Sequence, residues 1–186
     1  MPLPALVVVS GPPRSGTTTL AHALARAISC PAVCRDEIKE GMVHAEGGEF
    51  EAESGDALTQ RTLPLFFGVL RLLLTGGVTV VAEAAFQDRV WRPGLEPLSE
   101  IAELRIVQCH VEAAVAFDRH RSAVDTPGRR AHSLIEDGIE GWQEAYASFK
   151  RVSIPAPAID VDTTDGYAPD LDDIVEFVTR PWPSPS

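Results

Sequence analysis

The residues best suited to chemistry stand near the start of the chain. Ser10-Gly11-Pro12-Pro13-Arg14-Ser15-Gly16-Thr17-Thr18-Thr19-Leu20 follows the apolar run Val7-Val8-Val9. It fits the pattern G-x-x-x-x-G-x-[ST], with Gly11 and Gly16 as the fixed glycines and Thr18 in the hydroxyl position. Glycines let such a loop curl so that backbone N–H groups point inward at phosphate oxygens. The helix that follows aims its positive end at the same place. Gly11 through Thr19 are therefore expected to wrap the phosphates of a nucleotide, ATP or GTP, with the Thr18 hydroxyl on Mg²⁺. The bare pattern is short and arises by chance; the strand before it and the amphipathic helix after it give it weight. One position departs from the full motif, which carries Lys before the final Ser/Thr. Here that residue is Thr17. A neutral hydroxyl cannot supply the cation that steadies a transferring phosphoryl group. The chain has only two lysines, Lys39 and Lys150. Arg14, inside the loop, and Lys39 are the candidates to replace the missing cation; the alternative is lost catalysis.

Further along, Asp36 follows a short apolar segment and can cap a helix or, as a carboxylate near a transferable hydroxyl, take its proton. Glu83 ends the segment Val80-Val81-Ala82-Glu83, expected just past a strand. An acid there can hold Mg²⁺ through water or touch an acceptor; the alternative is a satisfied buried carboxylate. Arg119, Arg121, Arg129 and Arg130 flank the breaker Asp125-Thr126-Pro127-Gly128. Four arginines so close together in an acidic chain suggest an anion site, against the alternative of a solvated helix face. Glu46, Glu49, Glu51, Glu53 and Asp56 form an acidic stretch, read as a solvated loop that would also suit a cationic acceptor.

Positioning these residues requires alternating strands and helices. Apolar runs of strand length occur at 5–9, 78–82 and 104–109, with shorter ones at 32–34 and 158–161. Helical spacing covers 17–28, 36–44, 58–74, 112–124, 132–150 and 170–178. Strands alternating with helices over short connections predict βαβ units and a parallel sheet, whose ligands bind at the carboxyl ends of the strands. We expect one domain over residues 1–180 and a frayed Pro/Ser tail over 181–186.

Composition narrows the function further. The 186 residues carry 27 Asp+Glu against 16 Lys+Arg, a net charge of −11. General nucleic-acid binding draws on clustered positive charge, so it is not expected, whereas a single nucleotide needs only a local site. The first apolar run has no basic residue before it and does not read as a secretory leader. The apolar stretch 63–74 carries Arg71 and is too short to span a bilayer, so no membrane partner is expected. Cys30, Cys34 and Cys109 cannot all pair and lack zinc-finger spacing; they read as reduced thiols of a cytoplasmic protein, with a Cys30/Cys34 redox pair as the alternative.

Taken together, Gly11–Leu20, Arg35-Asp36-Glu37-Ile38-Lys39-Glu40-Gly41, Val80-Val81-Ala82-Glu83-Ala84, the arginines of 119–130 and Val161-Asp162-Thr163-Thr164-Asp165 resemble one group. It is the small P-loop kinases related to chloramphenicol phosphotransferase, zeta toxins and the kinase lobe of polynucleotide kinase. The resemblance runs over most of the chain and departs from the pattern at Thr17. It implies a P-loop three-layer α/β sandwich with a five-stranded parallel sheet in order 2-3-1-4-5 and a helical lid over about 119–131. It implies Asp36 as the base facing the acceptor hydroxyl, and Arg35, Lys39 and Glu83 as acceptor-side residues. Arg121 and Arg129 become the lid arginines that close over the phosphates, and Asp162–Asp165 border the purine. The function it implies is ATP-dependent transfer of the γ-phosphoryl group to a small-molecule hydroxyl. The rivals are a nucleoside or nucleotide kinase and a nucleotide-binding protein with weak or no catalysis; a polynucleotide end kinase is disfavoured by the charge.

Overall fold

The structure is a computed structural model and describes residues 3–46, 57–123 and 138–181. The acidic stretch from Glu49 to Asp56, and Arg129 and Arg130 of the expected lid, lie outside the described residues.

Five strands form the centre: β1 (Ala5–Ser10), β2 (Ala32–Cys34), β3 (Val80–Glu83), β4 (Glu103–His110) and β5 (Ala158–Asp162). They make one parallel sheet in the order β2-β3-β1-β4-β5. That order matches the expectation from the resemblance. The alternation of side chains along β1 explains why its sequence is continuously apolar. Leu6 and Val8 join Val80, Ala82, Leu104 and Ile106 on one face, while Val7 and Val9 join Val81, Val107 and Val161 on the other. Both faces are covered, so neither register can be polar.

Helices α1 (Thr17–Ala27) and α7 (Leu171–Thr179) cover the second face through Leu20, Ala21, Leu24, Ile174 and Val178. Asp170 caps α7 by accepting from the Asp173 N–H at 3.0 Å. The first face is covered by α3 (Ala57–Thr75) and α4 (Asp88–Leu95). By length and composition alone α3 would pass for a membrane span, so the expectation of too short a stretch is corrected. Its buried residues Leu58, Thr62, Phe66, Leu70 and Leu74 recur every four residues, the stripe of a helix laid on a core.

The remaining helices are α2 (Arg35–Glu46), α5 (Ala113–Ala123) and α6 (Gly138–Ser148). Helix α2 starts directly from β2, so Asp36 sits inside its first turn and is not the N-cap. The expected helix over 36–44 is thereby extended at both ends. Residues 119–123 of the expected lid belong to α5. Helix α4 was not expected at all, because Pro93 and Gly94 hide it. Trp91 and Leu95, one turn apart, anchor it beside Phe66, Phe67 and Phe86. Gly94 is required there, since a Cβ would collide with the Phe67 ring.

The register brings the carboxyl ends of four strands together. Cys34 pairs with Glu83, Glu83 with Val9, and Ser10 with Gln108. The phosphate loop with the start of α1, the first turns of α2 and the segment after β5 all leave from this edge.

Candidate active site

The phosphate-binding loop leaves β1 at Ser10 and enters α1 at Thr17. Gly16 caps α1 in the left-handed region, at φ 79° and ψ 11°, with no side-chain cap. The first N–H groups of α1 are thus left to a ligand or to water. Arg14 also has a left-handed backbone, φ 61°, a conformation that costs a non-glycine residue roughly 1–3 kcal/mol. At Gly11 a Cβ would lie 2.8 Å from the Cys109 carbonyl oxygen, so the loop closes on β4 only with glycine.

Three consecutive carbonyls of this loop are gripped from outside. The Tyr146 hydroxyl donates to Pro13 O at 2.5 Å. The Arg119 guanidinium donates to Arg14 O at 3.3 Å. The Thr163 hydroxyl donates to Ser15 O at 2.7 Å. Arg119 also donates to Thr163 O and, at 3.1 Å, to Thr164 O. It thereby ties the phosphate loop to the loop after β5. With these carbonyls engaged on the outside, the loop can offer an anion its N–H groups other than that of Ser15, which donates to Pro12 O at 3.2 Å. Burial pushes the Tyr146 phenol up, against the opposing charge of Arg119, so Tyr146 acts here as a donor.

Across the loop stands an acidic wall. Glu83 is the last residue of β3, not the residue after it, and is 4% exposed. The Thr17 hydroxyl donates to Glu83 Oε1 at 2.6 Å. Burial pushes the Glu83 carboxyl up to about 7; the Thr17 and Thr18 hydroxyls oppose the rise, and the charges of Asp36 and Glu37 add to it. The residue that replaces the motif's lysine therefore serves the carboxylate as a neutral donor. Asp36 accepts from Arg35 at 2.6 Å, and Lys39 is buried on the same helix.

A test of fit for nucleotide and Mg²⁺ comes from the buried polar atoms. Ser10 Oγ, Ser15 Oγ, Glu83 Oε2, Gln108 Oε1 and His110 Nδ1 have no hydrogen-bond partner among the described residues. Buried polar groups are normally paired, so a concentration of orphans in and beside one loop marks a place for polar ligands or water. Donors, a carboxylate and hydroxyls converge there, which is the chemistry that a phosphate and its magnesium ion require.

The structure places Gly11 to Thr19, Asp36, Arg35, Lys39 and Glu83 at this one edge of the sheet. Arg121 stands apart: it is exposed, with its guanidinium 5.9 Å from the centre of the Phe117 ring. Arg119, one of the four arginines but not a preferred one, is the residue that reaches the loop. Helical spacing would have found it, because Arg119 lies three residues after the buried Ala116 and Arg121 lies five after. Tyr146, Ser10 and Gln108 carried no sequence signal of this kind. Gln87 and Asp88, in the segment after β3, bind the segment after α6, Gln87 by a bridge to Arg151 and Asp88 by accepting from Ser153 N at 2.7 Å.

Comparison with solved structures finds the same fold in several kinases. A candidate kinase from Chloroflexus aurantiacus superposes with a TM-score of 0.82 at 22% identity, covering 97% of this chain and 100% of that one. A gluconokinase from Sinorhizobium meliloti gives 0.60 at 16% identity, over 97% and 94%. The APS kinase of Mycobacterium tuberculosis, solved with AMPPNP and APS, gives 0.62 at 15% identity, over 95% and 95%. The chain has the P-loop kinase fold. No family model matches its sequence, and no curated protein does.

Proposed function

We propose that this chain is an ATP- or GTP-dependent phosphotransferase that moves the γ-phosphoryl group to a hydroxyl of a small molecule. The observation that carries the reading is the gripped Gly11–Thr18 loop facing Asp36 and Glu83 across one strand edge. The likeness to P-loop kinases supports phosphoryl transfer in general and leaves the acceptor to the site's own chemistry. The loop N–H groups and the start of α1 bind the phosphates. Arg14, in the loop, takes the place of the absent lysine, with Lys39 as the other cation on the acceptor side. Thr18 and Glu83 hold Mg²⁺, which neutralises phosphate charge when bound. Asp36, oriented by Arg35, accepts the hydroxyl proton as the acceptor oxygen displaces the β–γ bridging oxygen. Arg121 and Arg129 act from the lid on charge that develops in transfer. The acidic stretch with Glu46, Glu49, Glu51, Glu53 and Asp56 would suit a cationic acceptor such as an aminated sugar.

A second reading is favoured by one observation, the Thr17–Glu83 hydrogen bond. It puts a neutral pair where kinases of this motif keep a lysine, as would suit a nucleotide-binding protein with little turnover. The two separate in one experiment: melting temperature with ATP·Mg²⁺, followed by turnover of wild type, Thr17→Lys and Arg14→Ala over a panel of aminated, sugar and nucleoside acceptors. A thermal shift, turnover with one acceptor class and loss in Arg14→Ala establish the kinase. A shift with no turnover, and a large gain in Thr17→Lys, establish the binder. No shift at millimolar nucleotide overturns both.

A further inference from the structure

A second cluster of side chains lies beside the acceptor edge and shares only Glu37 with the acidic wall described above. His22 stands on α1, Cys34 ends β2, and Glu37 lies in the first turn of α2. His22 Nε2 is 2.7 Å from Glu37 Oε1 and 3.7 Å from Cys34 Sγ. One donor atom from each residue lies within 4.8 Å of the others. The His22 and Glu37 side chains are about half exposed, at 42% and 53%, while Cys34 is buried. The cluster is thus open to solvent on one side and anchored in the core on the other.

Without a metal, burial and the neighbouring Glu83 and Glu37 carboxylates, to which it can donate, push the Cys34 thiol strongly up and keep it protonated. Both contacts converge on one imidazole nitrogen. With its proton Nε2 donates to Glu37; without it Nε2 can accept from the Cys34 thiol, and it cannot do both. A divalent ion would displace the thiol proton and take the nitrogen lone pair, a carboxylate oxygen and the thiolate at once. Metal–ligand distances of about 2.0 Å for nitrogen or oxygen and about 2.3 Å for sulfur put tetrahedral donors roughly 3.3–3.5 Å apart. The spacing in the cluster needs only small side-chain shifts to meet that, and the two partners that must move are the exposed ones. Imidazole with thiolate selects borderline or soft ions over Mg²⁺ or Ca²⁺.

We propose that His22, Cys34 and Glu37 form a zinc-type metal site, separate from the magnesium site of the phosphate loop. Binding follows Cys34–SH + M²⁺ → Cys34–S–M⁺ + H⁺, with the released proton going to solvent, and leaves the fourth position to water. The site ties α1, which begins at the phosphate loop, to the turn of α2 that holds Asp36. The ion is a staple that fixes the acceptor carboxylate relative to the nucleotide. No familiar ligand-spacing motif announces it, because the donors come from three elements, with His22 12 residues before Cys34 and 15 before Glu37.

The test needs neither nucleotide nor acceptor, so its failure is distinct from failure of the proposed kinase activity. Reduced protein is titrated with Co²⁺ and read for tetrahedral d–d bands and a thiolate-to-cobalt charge-transfer band; Zn²⁺ affinity follows by competition. We expect one ion per chain and loss of the charge-transfer band in Cys34→Ser but not in Cys30→Ser. His22→Gln and Glu37→Gln, at exposed positions that keep the fold, should each weaken Zn²⁺ by more than the roughly 10–100-fold typical of losing a ligand's outer hydrogen-bond partner. No charge-transfer band at one equivalent, a band that survives Cys34→Ser, or equal Zn²⁺ affinity in wild type, His22→Gln and Glu37→Gln would overturn the proposal.

Discussion

The two halves of the candidate site are built on opposite principles. The nucleotide side is held by neutral backbone groups: Pro13, Arg14 and Ser15 each give a carbonyl to a side chain from a different element. The acceptor side is held by charges, with Asp36, Glu37 and the buried Glu83 within electrostatic reach of one another. Backbone geometry fixed by many weak bonds is rigid and insensitive to pH. A buried carboxylate among other carboxylates responds to protonation, metal and mutation. The phosphate loop is therefore the preorganised half, and the acceptor wall the tunable one.

The sharpest way to break this contrast is at Gly16. Its φ of 79° excludes a β-branched side chain, so Gly16→Val should abolish nucleotide binding outright. The thermal shift with ATP·Mg²⁺, about 2.7 kcal/mol at a hundredfold excess over Kd, would vanish. A retained shift would move binding away from this loop. Next comes Arg119 against Arg121. Arg119→Ala removes the bonds that join two loops and should weaken nucleotide binding about 10–100-fold, from roughly 1.5–3 kcal/mol of charge-assisted hydrogen bonding. Arg121→Ala should leave Kd unchanged and lower kcat with the true acceptor. Equal effects of the two on Kd, measured by calorimetry, would erase the distinction between grip and lid.

The acceptor wall is sharpened by pH. The Glu83 carboxyl is raised from 4.5 to about 7 in the folded protein. Its stabilising contribution is full below the unfolded value and is lost as pH rises from about 4.5 to about 7, because the ionised form is the one burial penalises. Glu83→Gln should flatten the fall in melting temperature across that window and gain roughly 1–3 kcal/mol at pH 8. An unchanged pH profile would mean that Glu83 is already ionised and paired. The smallest effect is expected at Thr17. Thr17→Val deletes the 2.6 Å bond to Glu83 and should cost about 1–2 kcal/mol of stability above pH 7 and less below pH 5, by chemical denaturation. A cost independent of pH would show that the hydroxyl does not serve the carboxylate.

The sequence by itself determined the frame. The apolar runs at β1, β3 and β4 could be read because a parallel sheet covered on both faces leaves no alternation to obscure them. The phosphate loop could be read because its glycines answer local needs, a left-handed turn at Gly16 and a close approach at Gly11. Strand order followed from the resemblance of whole motifs, not from any single segment. What the tertiary structure alone decided depends on neighbours distant in the chain. Helix α4 forms around Pro93 and Gly94 because Trp91 and Leu95 find Phe66 and Phe86 waiting. Arg119 outranks Arg121 because of the face that α5 turns to the loop. Glu83 acquires its raised pKa, and His22, Cys34 and Glu37 their convergence, only when β2 and β3 lie side by side beneath α1. Local conformation is written in neighbouring residues; burial and the meeting of charges are set by packing, which joins residues that the sequence keeps apart.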